Sequence, residues 1–353
     1  MIEIVEEIRK VANQLDRKVK IMEVCGTHTM AIRRFGIHNL MPQNVELISG
    51  PGCPVCVTPV SMIDIAIQLM QDPTNILVVF GDMVRVPGSK TSIEKERTKN
   101  NNLKVVFSPF DIVKITEENS DKNIIFFVVG FETTLPGIAW TIKSIKEKNI
   151  KNFYCISAGK FIPPAMEAIV CDKELNIDAF LCPGHVSVII GSRPYEFISK
   201  DYQKVCVISG FEALDILESI LIIIKLLRNN DIKTEIQYTR AVKKDGNKKA
   251  KMIMTEVFDS CDSIWRGVGK IPHSGTVLRE GYKIYDIKER FKIEEIKEET
   301  NKLCICGDIL KGKQKPIDCK LFTEVCTPAN PVGACMVSQE GTCAAYYKYG
   351  GTR

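Results

Sequence analysis

The sequence has no long apolar run. Its most hydrophobic stretch, Ile220–Leu227, is far too short to span a bilayer and is interrupted by Lys225. It shows no secretory signal. It opens Met1-Ile2-Glu3-Ile4-Val5-Glu6-Glu7, acidic and amphipathic where a leader would be basic and then apolar. Strong charge of one sign is also missing, with 48 Lys and Arg against 43 Asp and Glu and a net charge of +5. That balance supplies no field for nucleic acid or for a membrane surface. The Lys-rich stretch Lys243–Lys251 surrounds Asp245-Gly246-Asn247 and reads as a solvated turn. No Gly-x-x-x-x-Gly-Lys-[Ser/Thr] loop occurs, which argues against P-loop ATP hydrolysis. The expectation is a cytoplasmic protein without nucleic-acid or membrane partners.

Cysteine is what the chain has in excess, with fourteen among 353 residues. In a reducing compartment, many thiols point to metal or redox chemistry before structural disulfides. The length allows two or three domains, each with its own core.

Apolar positions at helical spacing predict an opening helix over Ile2–Leu15. Short β-branched runs follow, each closed by a Gly, Pro or Ser turn: Val19–Val24, Val45–Ile48, Ile76–Phe80, Lys104–Phe107, Ile124–Val129, Phe153–Ile156, Ala179–Leu181 and Lys204–Ile208. Their continuous apolar character suits strands buried on both faces of a parallel sheet. Helical patterns lie between them at Ser61–Met70, Ser92–Lys99, Leu135–Lys148, Pro163–Val170 and Phe211–Leu227. The alternation predicts an α/β fold with ligand-binding turns at the carboxyl ends of the strands. Val128-Val129-Gly130-Phe131-Glu132 recurs in form as Ile208-Ser209-Gly210-Phe211-Glu212, and Ser49-Gly50-Pro51-Gly52-Cys53-Pro54 loosely echoes Leu181-Cys182-Pro183-Gly184-His185. These echoes suggest two similar α/β domains, over 17–142 and 143–235. The remainder, 236–353 together with 1–16, forms a third. In it Asn247 can cap a helix running through Phe258, Asp286–Lys302 is densely charged, and six of the fourteen cysteines fall between Cys304 and Cys343. A loop-rich segment without a large apolar core needs another source of stability, and metal ligation supplies one.

Cys319, Cys326, Cys335 and Cys343 are spaced Cys-x6-Cys-x8-Cys-x7-Cys, with Pro and Gly between them. Four thiolates on flexible loops can enclose a [4Fe–4S] cluster, one per iron. Structural zinc and unliganded thiols remain open as well. Cys304 and Cys306 are an extra pair: ligands, redox partners, or neither. Upstream, Cys25-Gly26-Thr27-His28 follows a strand, where a backbone can approach a ligand closely. Buried Cys with a hydrogen-bonded His is the plainer reading. Gly50-Pro51-Gly52-Cys53-Pro54-Val55-Cys56 places Cys-x-x-Cys at a helix start, where free N–H groups lower thiol pKa values. It serves as a dithiol couple or as half of a soft metal site. In Gly130-Phe131-Glu132-Thr133-Thr134 the threonines can simply cap a helix, and Pro183-Gly184-His185-Val186-Ser187 sets a His after a strand. Strand ends of adjacent α/β domains can converge on one cleft.

These motifs, in this order, resemble the signatures of the HypD family. Trp265-Arg266-Gly267 with Ile271-Pro272-His273-Ser274-Gly275 is similar to its next stretch. Cys326-Thr327-Pro328, Cys335–Gly341 and Cys343-Ala344-Ala345-Tyr346-Tyr347 are similar to its cluster segment. Phe322-Thr323-Glu324 departs from it by lacking a Gly after the Phe. The resemblance implies two similar Rossmann-like parallel-sheet domains plus a loop-rich, partly helical iron–sulfur domain. It implies a [NiFe]-hydrogenase maturation factor that works with a HypC-type chaperone as a redox-active scaffold. On it the Fe(CN)2(CO) unit is assembled, with HypE, and HypF upstream, as the cyanide source. By the same resemblance Cys25 anchors transient Fe(II) carrying CN and CO. Cys53 and Cys56 are the cleft dithiol, as ligands or redox pair, and Cys319, Cys326, Cys335 and Cys343 hold the cluster. His28, Glu132 and His185 are candidates for proton handling or ligand orientation. A competing reading is an enzyme, a cluster-dependent thiol–disulfide oxidoreductase resembling ferredoxin:thioredoxin reductase. A third is a zinc-stabilised binding protein.

Overall fold

A computed structural model describes residues 1–97, 102–172, 174–293 and 301–350. Eleven described strands run in chain order: β1 (Val19–Glu23), β2 (Val45–Ser49), β3 (Asn75–Phe80), β4 (Leu103–Val106), β5 (Asn123–Val128), β6 (Phe153–Ser157), β7 (Ala179–Pro183), β8 (Val205–Ser209), β9 (Thr234–Ile236), β10 (Phe258–Trp265) and β11 (Gly269–Leu278). They form two parallel sheets and one hairpin. The first sheet has the order β2-β1-β7-β8-β9 and the second β4-β3-β5-β6. Every pairing within the two sheets is parallel. Strands β7 and β8 are buried along their whole length, as continuous apolar runs between helical layers require. All eight strands expected from the sequence are present. The short β9 and the hairpin were not anticipated, because Gly269, Pro272 and Gly275 interrupt the alternation that marks a strand.

The sheets do not follow the consecutive division into 17–142 and 143–235. The chain lays down β1 and β2, crosses to build the second sheet from β3 to β6, then returns to add β7, β8 and β9 beside β1. An apolar run states that it belongs in a sheet but not in which one, so consecutive strands looked like one domain. The opening helix, Ile2–Ala12, is likewise not part of the carboxy-terminal region. Its Val5, Ile8 and Val11 join Ile216, Ile220 and Ile223 of helix Ala213–Arg228 in the core on one face of the first sheet. The two sheets do share a strand order, yet the sequence echoes fall at non-equivalent strands. Gly130-Phe131-Glu132 follows β5, third in its sheet, and Gly210-Phe211-Glu212 follows β8, fourth in its own.

The hairpin closes over the end of the second sheet. Phe161 donates its N–H to Ser274 O at 2.9 Å. The fully buried Lys160 donates to Ser263 Oγ and, at 2.9 Å, to Ile264 O, filling the irregularity between Cys261 and Ser263. Asn247 caps helix Lys248–Val257 as expected, its side chain accepting from Ala250 N. Part of the charged stretch Asp286–Lys302, and the end of the helix expected over Ser92–Lys99, lie outside the described residues. No described helix is long and apolar enough to cross a membrane.

One ion pair braces the turn after β8. Asp215, in the first turn of helix Ala213–Arg228, is buried and accepts from Arg240 Nη1 at 2.7 Å and Nη2 at 2.5 Å. It also accepts from Glu212 N at 3.2 Å. The Arg240 hydrogen bonds hold its carboxyl down to about 2, below the ordinary 3.8. A group whose pKa falls on folding stabilises the fold above its unfolded pKa and loses that contribution as pH drops through the folded value. Asp215→Asn should therefore cost about 1–2 kcal/mol at pH 7, discounted for the exposed Arg240. The difference from the parent should shrink between about pH 4 and pH 2. Urea titrations across that range check both the size and the sign.

Candidate functional site

The carboxyl ends of strands from both sheets meet at one cavity of about 410 Å³. Cys25 and Thr27 enter it after β1, Gly52 and Pro54 after β2, Phe131, Thr133 and Thr134 after β5, and Pro183 and His185 after β7. Glu340 reaches it from the carboxy-terminal segment. All four sequence motifs thus contribute to one cleft. Thr133 and Thr134 line it, and Thr134 stands at a helix N-cap position without a capping side-chain hydrogen bond.

Close backbone packing holds Cys25. Gly26 N donates to Gly52 O at 3.0 Å. A Cβ on Gly52 would lie 2.3 Å from Cys25 N, and one on Gly26 would lie 2.2 Å from Glu340 O. Only glycine permits three chain segments to approach this closely. Burial first, then the Glu340 carboxylate, raises the Cys25 thiol to about 12. Thr27 Oγ1 donates to Glu340 Oε1 at 2.5 Å, and burial raises the Glu340 carboxyl above its usual range.

The other candidates are distributed unequally. His28 is fully buried and does not line the cavity. Its Nε2–H donates to Gly210 O at 2.9 Å, its Nδ1 has no partner, and burial lowers its pKa to about 4. Its ring stacks on Phe211 at 4.7 Å, and Phe211 stacks on His185 at 3.8 Å. His28 therefore supports from behind the face that His185 presents. Burial also lowers the His185 pKa, leaving a neutral imidazole in the cleft. Glu132 is aimed away from it. Its Oε1 accepts from Ile162 N at 3.0 Å, at the start of helix Ile162–Val170, while its Oε2 is buried without a partner. Burial raises the Glu132 carboxyl to about 7.

Cys53 and Cys56 are buried beneath the cleft at either side of Pro54 and Val55. Cys56 N donates to Cys53 Sγ at 3.3 Å. The expected lowering of thiol pKa at this helix start is not found at Cys56. Burial drives it well above 9, and the helix is only Pro54–Val57, too short to build an opposing dipole. The depressed thiol is Cys335, at about 6, through hydrogen bonds from Cys306 and then from Cys56.

Those bonds connect the cleft to a second feature. Six cysteines, Cys304, Cys306, Cys319, Cys326, Cys335 and Cys343, line one small pocket with Ile309, Leu321, Phe322, Gly333 and Met336. No disulfide joins any of them. Cys56 bonds to Cys335, Cys335 to Cys306 and Cys306 to Cys304, so thiols run in series from beneath the cleft into the pocket. Sequence spacing grouped four of the six and left Cys304 and Cys306 aside. It also gave Glu340 and Phe211 no role, although both stood in quoted motifs. Among the described residues no three His, Cys, Asp or Glu side chains gather for a single metal ion. A cubane takes one thiolate per iron and so spreads its donors over four corners. The all-sulfur donor set and apolar walls fit such a group.

The departure at Thr323 has a structural meaning. This residue has φ +66°, in the left-handed region, which a β-branched side chain adopts only under strain. The position is built for glycine, and Phe322 beside it packs in the pocket wall. Thr323→Gly should stabilise the chain by about 1 kcal/mol. A higher melting temperature with unchanged spectra would establish this, and a lower one would show the strain to be relieved elsewhere.

Paired parallel sheets with a cleft at their strand ends, backed by buried thiols and a pocket lined by six cysteines, define an α/β protein whose site is rich in free thiols. The chain belongs to the HypD family, whose model, described as the hydrogenase formation hypA family, matches residues 1–350. It is 43% identical over 339 residues to hydrogenase maturation factor HypD2 of Bradyrhizobium diazoefficiens, covering 94% of this chain and 89% of that one. It is 42% identical over 344 residues to HypD of Azotobacter vinelandii, covering 96% and 91%. With HypD of Escherichia coli it shares 39% over 354 residues, covering 99% and 95%.

Proposed function

We propose that this chain is a hydrogenase maturation factor, a redox-active scaffold on which an Fe(CN)2(CO) unit is assembled for [NiFe]-hydrogenase. The observation that carries the reading is the meeting of Cys25 with the Cys53–Cys56 turn at one cleft, with a sulfur pocket in thiol contact behind it. Family membership supports the hydrogenase-formation role. The partners are a HypC-type chaperone, which caps the cleft and shares the iron, and HypE, supplied by HypF, as the cyanide source. The setting is cytoplasmic, where thiols stay reduced.

Low-spin Fe(II) bearing cyanide and CO is the cargo, and soft thiolates are its natural anchors. Cys25 supplies the first sulfur. Its raised pKa keeps it protonated until iron arrives, so binding displaces the proton. His185, in the same cavity, relays that proton toward solvent without holding it, and Glu340 limits how far negative charge builds beside Cys25. The turn residues Thr133 and Thr134 offer hydroxyl donors to bound ligands. Cys53 and Cys56, shut away from solvent, cycle between dithiol and disulfide or add sulfur ligands.

The pocket would hold a [4Fe–4S] cluster, which supplies one-electron transfer when bound. Cys319, Cys326 and Cys343 are three of its ligands. The fourth is Cys335 by sequence spacing, and its contacts with Cys56 and Cys306 make it also the pocket thiol that links to the cleft. The same contacts favour, as the second reading, a thiol–disulfide oxidoreductase that turns over disulfide substrates.

Infrared spectroscopy of the full chain, purified anaerobically with its small chaperone, should show CN and CO stretches. Cys25→Ala should abolish them while leaving the cluster. Persistence of the bands in Cys25→Ala would remove the anchor assignment. Turnover of a disulfide with an electron donor, without bound low-spin iron, would favour the oxidoreductase instead. Separately, metal analysis should give about four irons and four sulfides per chain. Cys335→Ser should lose most of them and Cys304→Ser keep them. Zinc in their place would overturn the cluster.

A further inference from the structure

We propose that Arg266 is the counter-charge of the cysteine pocket, held there to balance negative charge on sulfur when the pocket is loaded. The inference deepens the proposed function and rests on its cluster reading.

Trp265-Arg266-Gly267 forms the tip between β10 and β11, and nothing above gives it a role. The tip is tightly anchored. Trp265 is fully buried, donates from Nε1 to Ser274 Oγ at 2.8 Å and stacks on Phe131 at 5.8 Å. Arg266 N donates to Val57 O at 2.8 Å, at the end of the short Cys-x-x-Cys helix. Gly267, at φ +77°, lies so near Gly307 that a Cβ would come within 2.5 Å of its Cα. Gly307 follows Cys306 directly. Residue 266 is therefore pinned between the cleft dithiol and the pocket thiols.

Its side chain is not satisfied there. Arg266 Nη1 is buried with no hydrogen-bond partner. Among the described residues no carboxylate forms an ion pair with Arg266. The segment it abuts, through Gly267 and Gly307, is the one that carries Cys304 and Cys306 into the pocket. A half-buried guanidinium with a buried, unpartnered nitrogen and no counter-ion is held at a cost, and protonated thiols carry no charge to offset it. A 2+ core held by four thiolates carries a net charge of about −2, and reduction adds one more negative charge. The guanidinium thus interacts more strongly with the loaded pocket than with the empty one, and most strongly with the reduced form. Arginine also suits the task because it stays protonated and presents several N–H donors to sulfur.

The test uses the full chain, handled anaerobically, before and after reconstitution with iron and sulfide, as wild type, Arg266→Met and Arg266→Lys. Unloaded Arg266→Met should melt at or above the unloaded wild type, since an unbalanced charge is gone. Loaded, it should melt below the loaded wild type. In potential titrations followed by electron paramagnetic resonance, Arg266→Met should show about a tenfold lower reduced-to-oxidised ratio at fixed potential, which is about 59 mV for one electron. Arg266→Lys, which keeps the charge, should stay near wild type. An Arg266→Met chain that fails to fold unloaded, loses equal stability in both states, or keeps the wild-type potential would overturn the assignment while leaving the cluster reading intact. A wild-type chain that takes up no iron and sulfide would overturn the cluster reading and this inference with it.

Discussion

The hydrogen bond from Gly26 N to Gly52 O, 3.0 Å long, sets the distance on which the whole site depends. It ties the turn after β1 to the turn after β2, and with them Cys25 to the Cys-x-x-Cys segment. Neighbouring parallel strands end side by side, so their following turns are forced together unless bulk keeps them apart. Gly26 and Gly52 remove that bulk, and the carboxy-terminal segment then settles on the same spot through Glu340. Three segments remote in sequence become one wall.

In and behind that wall, burial suppresses charge on most of the titratable groups. Cys25 and Cys56 are pushed up, His28 and His185 are pushed down, and Glu132 is raised to about 7. Desolvation is the first cause for each. A site kept neutral at rest stores little electrostatic energy of its own and responds strongly to an arriving cation. Cys335 is the exception, lowered by thiol hydrogen bonds and placed where the cleft thiols and the pocket thiols touch. Arg266 is the other exception, with Nη1 buried and unpartnered next to the segment that carries Cys306.

Much of this was legible beforehand because it is local. Apolar runs such as Ala179–Leu181 marked strands, helical spacing marked Leu135–Lys148 against the observed Leu135–Glu147, and Gly and Pro marked the turns that carry Cys25, Cys53 and His185. Those turns were expected to share a cleft because parallel strands of an α/β sheet present their carboxyl ends on one side. What stayed hidden was pairing across distance. Nothing in β1 or β7 says that they lie side by side, with more than 150 residues between them. The direction of the Glu132 side chain was hidden for a similar reason: proximity to a motif says nothing about where a side chain points. The missing Gly at Thr323 looked minor as a letter and became meaningful only through its positive φ.

By itself the sequence determined the chemistry available: fourteen cysteines, few histidines, little net charge, and turns of glycine and proline at the ends of apolar strands. Composition and short-range spacing are properties of the chain, and they survive any arrangement of it. Only the tertiary structure decided which thiols meet, because the chain leaves the first sheet, completes the second and returns. That path joins Cys56 to Cys335, sets Arg266 beside Cys306, and turns Glu132 away from the cleft. Such contacts depend on packing between segments from 30 to more than 270 residues apart, and no local pattern records them.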